Sequence, residues 1–202
     1  MKASTKKILI TVGIIIAVIF IIYRFFAGTY NSIVAKDEGV SSQWAQVQNQ
    51  YQRRMDLIPN LVSTVKGYAS HESEVLTAVT EARSRAGGMV NIDSEALNDP
   101  ETFKKYQQVQ DSLSSSLQRL LMVTENYPEL KANENFLALQ SQLEGTENRI
   151  SVERMRYNEA AKDYNVYIRQ FPKSIIANMN GFRTKSYFEA SQEAQSAPQV
   201  QF

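Results

Sequence analysis

The sequence predicts an all-α protein, with an N-terminal transmembrane helix followed by an elongated antiparallel four-helix bundle. Three observations carry this prediction. Apolar residues recur every three or four positions along most of the chain, the spacing of one face of an α-helix. The alternating β-branched runs typical of strands do not occur in the sequence. An uncharged apolar run of bilayer length lies near the N-terminus.

The N-terminal part divides into a basic flank, residues 1–7, and a predicted transmembrane helix acting as a signal anchor, residues 8–26. No residue from Ile8 to Tyr23 is charged. At a rise of 1.5 Å per residue the helix spans about 28 Å, close to the hydrocarbon thickness of a bilayer. A cleaved signal peptide is the alternative, but Phe26 to Thr29 matches a small-residue cleavage site poorly. We therefore expect an uncleaved, single-pass membrane protein.

The balance of basic residues around the span predicts its orientation. Lys2, Lys6 and Lys7 precede the span, whereas Arg24 and Lys36 follow it. Because cytoplasmic flanks are enriched in Lys and Arg, this modest bias favours a cytoplasmic N-terminus and an extracytoplasmic body. The opposite topology stays open at this point.

The first helix of the body is expected from about Tyr30 to Arg54, and it can continue directly out of the membrane span. Its apolar stripe comprises Val40, Trp44, Val47, Tyr51 and Met55. Charged residues and a proline then interrupt the apolar pattern and predict a corner between two helices. The corner residues are Arg53, Arg54, Asp56, Pro59 and Asn60.

The second helix is expected to start directly after this corner. Asp56 would cap it, with Pro59 in the first turn, where a missing N–H costs little. Its apolar stripe runs from Leu61 to Ala86, and Gly87-Gly88 ends it.

Two further helices complete the predicted bundle. The third opens at Asp99-Pro100-Glu101, a cap followed by proline at the first helical position, and ends before Pro128. The fourth runs from about Asn133 to Phe171 in a coiled-coil-like heptad pattern. Its seam comprises Phe136, Leu139, Leu143, Thr146, Ile150, Glu153, Tyr157, Ala160, Tyr164, Ile168 and Phe171.

Less regular sequence follows the fourth helix. Ile175–Met179 is a short apolar remnant, and Gly181–Phe188 is an amphipathic segment expected to lie back on the bundle. Residues 191–202 are polar and Gln-rich, which predicts a disordered tail. The helical bundle is therefore expected over residues 27–190.

Four segments of the body carry a resemblance to a known family. They are Arg53–Glu72, Val75–Arg83, Glu125–Phe136, and the series Asn148-Arg149-Ile150, Tyr157-Asn158, Tyr164-Asn165 and Phe171-Pro172. In this order they resemble the LemA family over about residues 30–190. The resemblance implies a membrane helix, a long four-helix body and no established biochemical activity. Through distant relatives of the family, it also points to roles in membrane organisation.

The residue composition argues against most catalytic sites. With no Cys and one His, a structural zinc site lacks ligands. His71-Glu72 would need a second His at position 75 to form a metalloprotease motif, and that residue is Val75. A di-iron bundle needs Glu-x-x-His pairs, and none occur. We therefore predict no catalytic, cofactor-binding or metal-binding residues.

Several polar clusters have competing interpretations. The corner residues Arg53, Arg54 and Asp56 suit a cap and salt-bridge network better than an anion or partner site. The tyrosines near the seams favour core packing over a ligand cage. The carboxylates of the fourth helix favour a solvated face; they are Glu144, Glu147, Glu153, Glu159 and Asp163.

These patterns predict a non-enzymatic, membrane-anchored helical scaffold that binds copies of itself or a membrane-protein partner. Without the four basic residues of the first 26, the body carries 18 basic and 21 acidic residues, about −3, which argues against nucleic acid as a partner. A membrane-remodelling or lipid-contacting protein is the alternative, resting on Ile175–Met179 and Phe182–Phe188.

Overall fold

The computed structural model describes residues 3–89 and 92–189, and every regular element in them is helical. The elements are α1 (Ala3–Tyr68), α2 (Ser73–Gly87), a 3-10 turn (Ser94–Asn98), α3 (Pro100–Thr124), α4 (Pro128–Lys131), α5 (Glu134–Arg169) and α6 (Lys173–Met179). The absence of strands from the described ranges confirms the all-α prediction.

The body is an up-down bundle of α1, α2, α3 and α5. Helix α5 packs along α1, and α3 packs along α2. Asn133, before α5, bonds Tyr68 at the end of α1, whereas farther along α5 Glu147 pairs with Arg54 and Arg154 bonds Tyr51, both earlier in α1. The two helices are therefore antiparallel, and the predicted four-helix architecture is confirmed.

The predicted corner at Arg53–Asn60 is wrong. Helix α1 continues through Arg53, Arg54, Asp56, Pro59 and Asn60 without a break and ends only at Tyr68. The apolar stripe of α1 explains this, because its buried residues keep helical spacing across the proline: Tyr51, Met55, Ile58, Leu61 and Val65. Asp56 consequently caps nothing and accepts a bond from Gln52 one turn earlier.

Helix α1 accommodates Pro59 because another helix supplies the missing bond. A proline in a helix leaves the carbonyl four residues earlier without its partner, and here that residue is Met55. The Nε of Arg83 on α2 donates to the Met55 oxygen at 3.1 Å. The chain reverses instead at residues 69–72, and α2 starts at Ser73 rather than next to Asp56.

The predicted N-terminal ends of α3 and α5 are confirmed. The Asp99 carboxylate accepts from the amides of Glu101 and Thr102, and the bond from the Thr102 hydroxyl lowers the pKa of that carboxyl. Asn133 caps α5 by accepting from the Phe136 amide at 3.0 Å. Phe171 is not part of the seam, because α5 ends at Arg169 and the Phe171 ring is 81% exposed.

The buried side chains form two clusters along the rod. We call the first the aromatic half; its rings include Trp44, Tyr51, Phe103, Tyr106, Tyr157, Tyr164 and Phe188. The second is the aliphatic half, which includes Met55, Ile58, Leu61, Val65, Leu113, Leu117 and Leu143. Polar residues occupy the level between them.

Among the described residues, nothing packs against the part of α1 that runs from Leu9 to Phe26. Its apolar side chains from Leu9 to Phe26 are exposed. Within the described part of the chain, α1 is the one helix long and apolar enough to cross a membrane, with a mean hydropathy of 2.6 over its best window. The predicted tail, 191–202, lies outside the described residues.

Candidate functional site

A fully buried arginine lies at the boundary between the two halves of the core. Arg54 on α1 is 0% exposed. Its guanidinium donates to the Ser114 hydroxyl at 2.6 Å and the Gln110 side-chain oxygen at 2.6 Å, both on α3. It also pairs with the Glu147 carboxylate on α5 at 3.0 Å. One side chain thus ties α1 to two other helices.

A second arginine lies beside the first and comes from α5. Arg154 donates to the Tyr51 hydroxyl at 2.6 Å and to the Asp111 carboxylate at 2.8 Å. The guanidinium carbons of Arg54 and Arg154 lie 5.1 and 5.5 Å from the centre of the Tyr51 ring. The two arginines and two carboxylates balance in charge, which lowers the cost of taking the guanidinium groups out of water.

The hydroxyls around this layer are held in their neutral form. Burial raises the pKa of Tyr51 above its ordinary value, although Arg154 and Arg54 act against this. Burial likewise raises the pKa of Tyr106 and of Tyr157. These phenols are therefore hydrogen-bonding and packing groups near neutral pH, and none is suited to act as a base.

A groove of about 430 Å³ opens over the polar layer between α3 and α5. Asp111, Ser114, Glu147 and Arg154 line it, and Phe188 lies at one edge. Its charged groups already bond one another, so a ligand would compete with internal partners. Among the described residues, no three or more His, Cys, Asp or Glu side chains lie together in a group that can hold a metal.

One of the five predicted corner residues points into the core of the bundle. Arg53, Asp56, Pro59 and Asn60 lie on the exposed face of α1, and only Arg54 is buried. The network around Arg54 consists of residues that the corner interpretation missed. Glu147, expected on a solvated face, instead pairs with Arg54, and Asp111 was not singled out at all.

A signal for this network exists in the sequence but is weak. Gln110 and Thr146 interrupt the apolar seams of α3 and α5, and both are buried. Seam interruptions at matching levels of neighbouring helices indicate a shared polar layer. The packing of the helices brings these positions to one level, since Gln110 and Glu147, the neighbour of Thr146, both bond Arg54.

A second polar device holds the C-terminal segment against the bundle. The side-chain amide of Asn165 exchanges two bonds with the main chain of Lys185, and Asn158 does the same with Phe188. Gln107 on α3 pairs in the same way with Glu189. Residues 185–189 thus bridge α3 and α5, as expected for a segment lying back on the bundle.

The turns at the distal end of the bundle, away from the apolar segment, are also held together by side chains. The residues involved belong to the segments that resemble the LemA family. The Tyr127 hydroxyl donates to Glu72 at 3.0 Å, and Asn133 donates to the Tyr68 hydroxyl at 2.9 Å. The bond to Glu72 raises the pKa of Tyr127. These contacts join the two chain reversals at one end of the rod.

The comparisons with known proteins match the body. The model of the LemA family matches residues 43–202. The chain is similar to Magnetosome protein MamQ 2 of Paramagnetospirillum magneticum, at 26% identity, and to Magnetosome protein MamQ of Magnetospirillum gryphiswaldense, at 25% identity. Each match covers 79% of this chain and 64% of the relative, so the chain spans less than two thirds of those proteins. Protein LemA of Metamycoplasma hominis is 23% identical over 88% of this chain and 76% of its own length.

Proposed function

The chain belongs to the LemA family, and from this we propose that it is a non-enzymatic, membrane-anchored helical scaffold that binds a membrane-protein partner or copies of itself. One observation carries the proposal. Helix α1 runs without interruption from the apolar segment through the whole bundle. Its 66 residues correspond to about 100 Å at 1.5 Å per residue, so the folded body is joined stiffly to the anchor.

The chemistry of the described residues supports a structural role. The charged groups at the polar layer bond one another, and its tyrosines have raised pKa values. Paired charges around a buried arginine help to define how helices align, which suits a structural role. The favoured topology keeps the N-terminus in the cytoplasm and the body outside it.

The binding surface is not the heptad seam of α5. Leu143, Ile150, Tyr157 and Tyr164 are buried against other helices of the same chain. The exposed side of α5 instead carries Met155, which is 55% exposed and is one of several separate apolar residues there. A partner would therefore meet the outer faces of the bundle.

Photo-crosslinking of the full chain in native membranes tests this proposal. A crosslinker at Met155 is expected to give discrete adducts, to the chain itself or to a co-purifying membrane protein. A crosslinker at Ile58, which is 1% exposed, serves as the buried control. A chain that is monomeric by mass photometry and gives no adduct from any exposed face would overturn the scaffold proposal.

The alternative function, membrane remodelling or lipid contact, requires in addition that the folded body itself contact lipid. Anchoring by residues 8–26 alone does not meet it, since that segment crosses the bilayer without placing the bundle on its surface. The surface suited to such contact lies where the bundle meets the span.

A further inference from the structure

The end of the bundle nearest the anchor exposes an apolar face with no partner in the chain. Phe171, Ile175 and Met179 follow one another at intervals of four residues. Their exposed fractions are 81%, 48% and 74%. The opposite face of α6 is buried, with Ile176 and Ala177 in the aromatic half of the core. Helix α6 is therefore fixed on the bundle while its outer face stays uncovered.

This face lies at the level where α1 leaves the apolar segment. Helix α6 packs against α1, and just after α6 the ring of Phe182 lies 5.8 Å from that of Tyr30. Residues 30–33 are about 6–10 Å beyond Phe26 along the helix axis. The headgroup layer on each side of a bilayer is about 5–8 Å thick. A chain anchored through residues 8–26 thus has α6 beside the headgroups.

The charges around the face match an anionic surface. The segments Arg24–Lys36 and Arg169–Lys185 contain six basic residues and no acidic residue. Lys185 is buried and pairs with Asp37 at 2.8 Å, so it is not available to a ligand. Arg169 and Arg183 are exposed, and they line a groove of about 510 Å³ that also includes Ser174 and Thr184.

Acidic residues and an aromatic ring border the basic surface next to α6. Arg183 also borders a neighbouring groove that contains Glu95 and Asp99. Lys173 lies 3.8 Å from the centre of the Tyr167 ring, and Lys36 lies 5.4 Å from the same ring. The basic rim therefore comprises Arg169, Lys173 and Arg183, and at Arg183 it borders the groove that contains Glu95 and Asp99.

The distal end of the rod has the opposite character. Its turns, residues 69–74 and 125–134, hold five acidic residues and one basic residue. The turns at this distal end are thus net acidic, whereas the two segments at the anchored end are net basic. An apolar face rimmed by Lys and Arg is the pattern of a segment that lies in the interface of an anionic membrane.

We propose that the face formed by Phe171, Ile175 and Met179, with Arg169, Lys173 and Arg183 as its basic rim, is a second membrane contact that lies in the headgroup layer of an anionic phospholipid bilayer. The proposal rests on the membrane anchoring proposed above. It adds that the folded body is held down on the lipid surface and not merely tethered to it.

Depth-dependent quenching in reconstituted full-length protein tests this directly. The chain contains no Cys, so one introduced Cys can be labelled with an environment-sensitive fluorophore without background. Met179→Cys reports the proposed contact, Ile16→Cys the anchor, and Met122→Cys, 69% exposed on α3, the distal control. Vesicles of phosphatidylcholine with or without phosphatidylglycerol carry spin-labelled lipids as quenchers.

We expect the Ile16 probe to be quenched by deep spin labels and the Met179 probe by shallow ones, with the Met122 probe unquenched. Quenching at Met179 should rise with phosphatidylglycerol and fall with salt. Replacing Arg169, Lys173 and Arg183 by Gln should lower it roughly twofold or more. The matched control replaces Lys66, Arg119 and Arg149, all exposed elsewhere, and should leave it unchanged.

Three outcomes would overturn the proposal. An unquenched Met179 probe beside a quenched Ile16 probe removes the second contact and leaves the anchor intact. An unquenched Ile16 probe removes the anchor itself and, with it, the function proposed above. A Met179 probe that is shielded from aqueous iodide in a concentration-dependent manner, without lipid quenching, assigns the face to a second copy of the chain.

Discussion

The two halves of the core solve the same packing problem with different side chains. The aromatic half, nearer the predicted span, surrounds Trp44 with four rings whose centres lie 5.2–6.0 Å from its own. The aliphatic half packs mainly Leu, Ile and Val against α2 and α3. Rings fix mutual orientation through their edges and faces, whereas aliphatic side chains mainly fill volume.

The difference follows from what each half must hold. The aromatic half binds an extended segment through Phe188, which stacks on Trp44 at 6.0 Å. Such a segment cannot supply a helical ridge, so flat rings and side-chain amides receive it. The aliphatic half joins helices only, for which ridges and grooves are sufficient. The composition of each half of the core therefore follows the kind of backbone that packs on it.

The largest expected effect is the loss of stability of the aromatic half at high pH. The pKa values of Tyr51, Tyr106 and Tyr157 are raised by burial. Their contribution to stability is fully present below pH ~10, the ordinary pKa of tyrosine, and is lost as pH rises toward the folded values. The loss is about 1.4 kcal/mol for each such group per pH unit above the ordinary value. Trp44 emission should therefore change in alkali no later than far-ultraviolet circular dichroism.

Tyr106→Phe is the matched variant for that titration. The Tyr106 hydroxyl has no hydrogen-bond partner among the described residues, so its removal should not weaken the fold at neutral pH. The variant should unfold at a higher pH than the natural chain. An unchanged alkaline midpoint would show that these buried phenols do not control alkaline unfolding.

Removing the arginine between the halves should have the next largest effect. Arg54→Ala leaves the Glu147 carboxylate and the Gln110 amide without their buried partner. We expect a loss of about 3–5 kcal/mol in the free energy of unfolding, measured by chemical denaturation in detergent. Arg53→Ala, one residue away but exposed, should change it by less than about 0.5 kcal/mol. Similar losses from the two variants would contradict the assigned network.

Substituting Pro59 tests the aliphatic half, because the sequence and the structure predict opposite changes in stability. A corner at Pro59 predicts that Pro59→Ala destabilises the protein. The continuous helix predicts stabilisation by about 1–2 kcal/mol, since α1 regains a backbone bond at the cost of a more flexible unfolded chain. Thermal unfolding of the single variant distinguishes the two signs.

A double-mutant cycle then tests how Pro59 and Arg83 are linked. In the natural chain Arg83→Ala leaves the Met55 oxygen without its donor and should cost about 1–2 kcal/mol. In the Pro59→Ala background a backbone amide takes over that oxygen, and the cost should fall by about 1 kcal/mol. Additive effects of the two substitutions would show that Arg83 does not compensate for the proline.

The smallest expected effect concerns the extended segment on the aromatic half. Asn158→Ala removes both bonds that the side chain makes with the main chain of Phe188. Hydrogen exchange at the Phe188 amide should accelerate by about 10- to 100-fold, with little change in global stability. Asn148→Ala, an exposed asparagine on the same helix, is the control. Equal exchange rates in both variants would show that the bonds between Asn158 and the main chain of Phe188 do not hold this segment on the bundle.

Much of this architecture was predictable because it depends on local patterns. The cap at Asp99, the cap at Asn133 and the buried seam of α5 each rest on residues within one helix. The position of the first chain reversal was not predictable in the same way. Pro59 is compatible with a continuous helix only because Arg83, 24 positions later, reaches the freed Met55 oxygen.

The sequence by itself determined the helical class, the apolar span and the family, because all three are carried by spacing and by contiguous motifs. Only the tertiary structure decided which charged residues are buried. Arg53 and Arg54 are adjacent in sequence and chemically identical, yet one faces water and the other the centre of the bundle. The physical reason is that successive residues of a helix point about 100° apart. The partners of the inward residue come from α3 and α5, whose registers against α1 are set by packing along the whole rod.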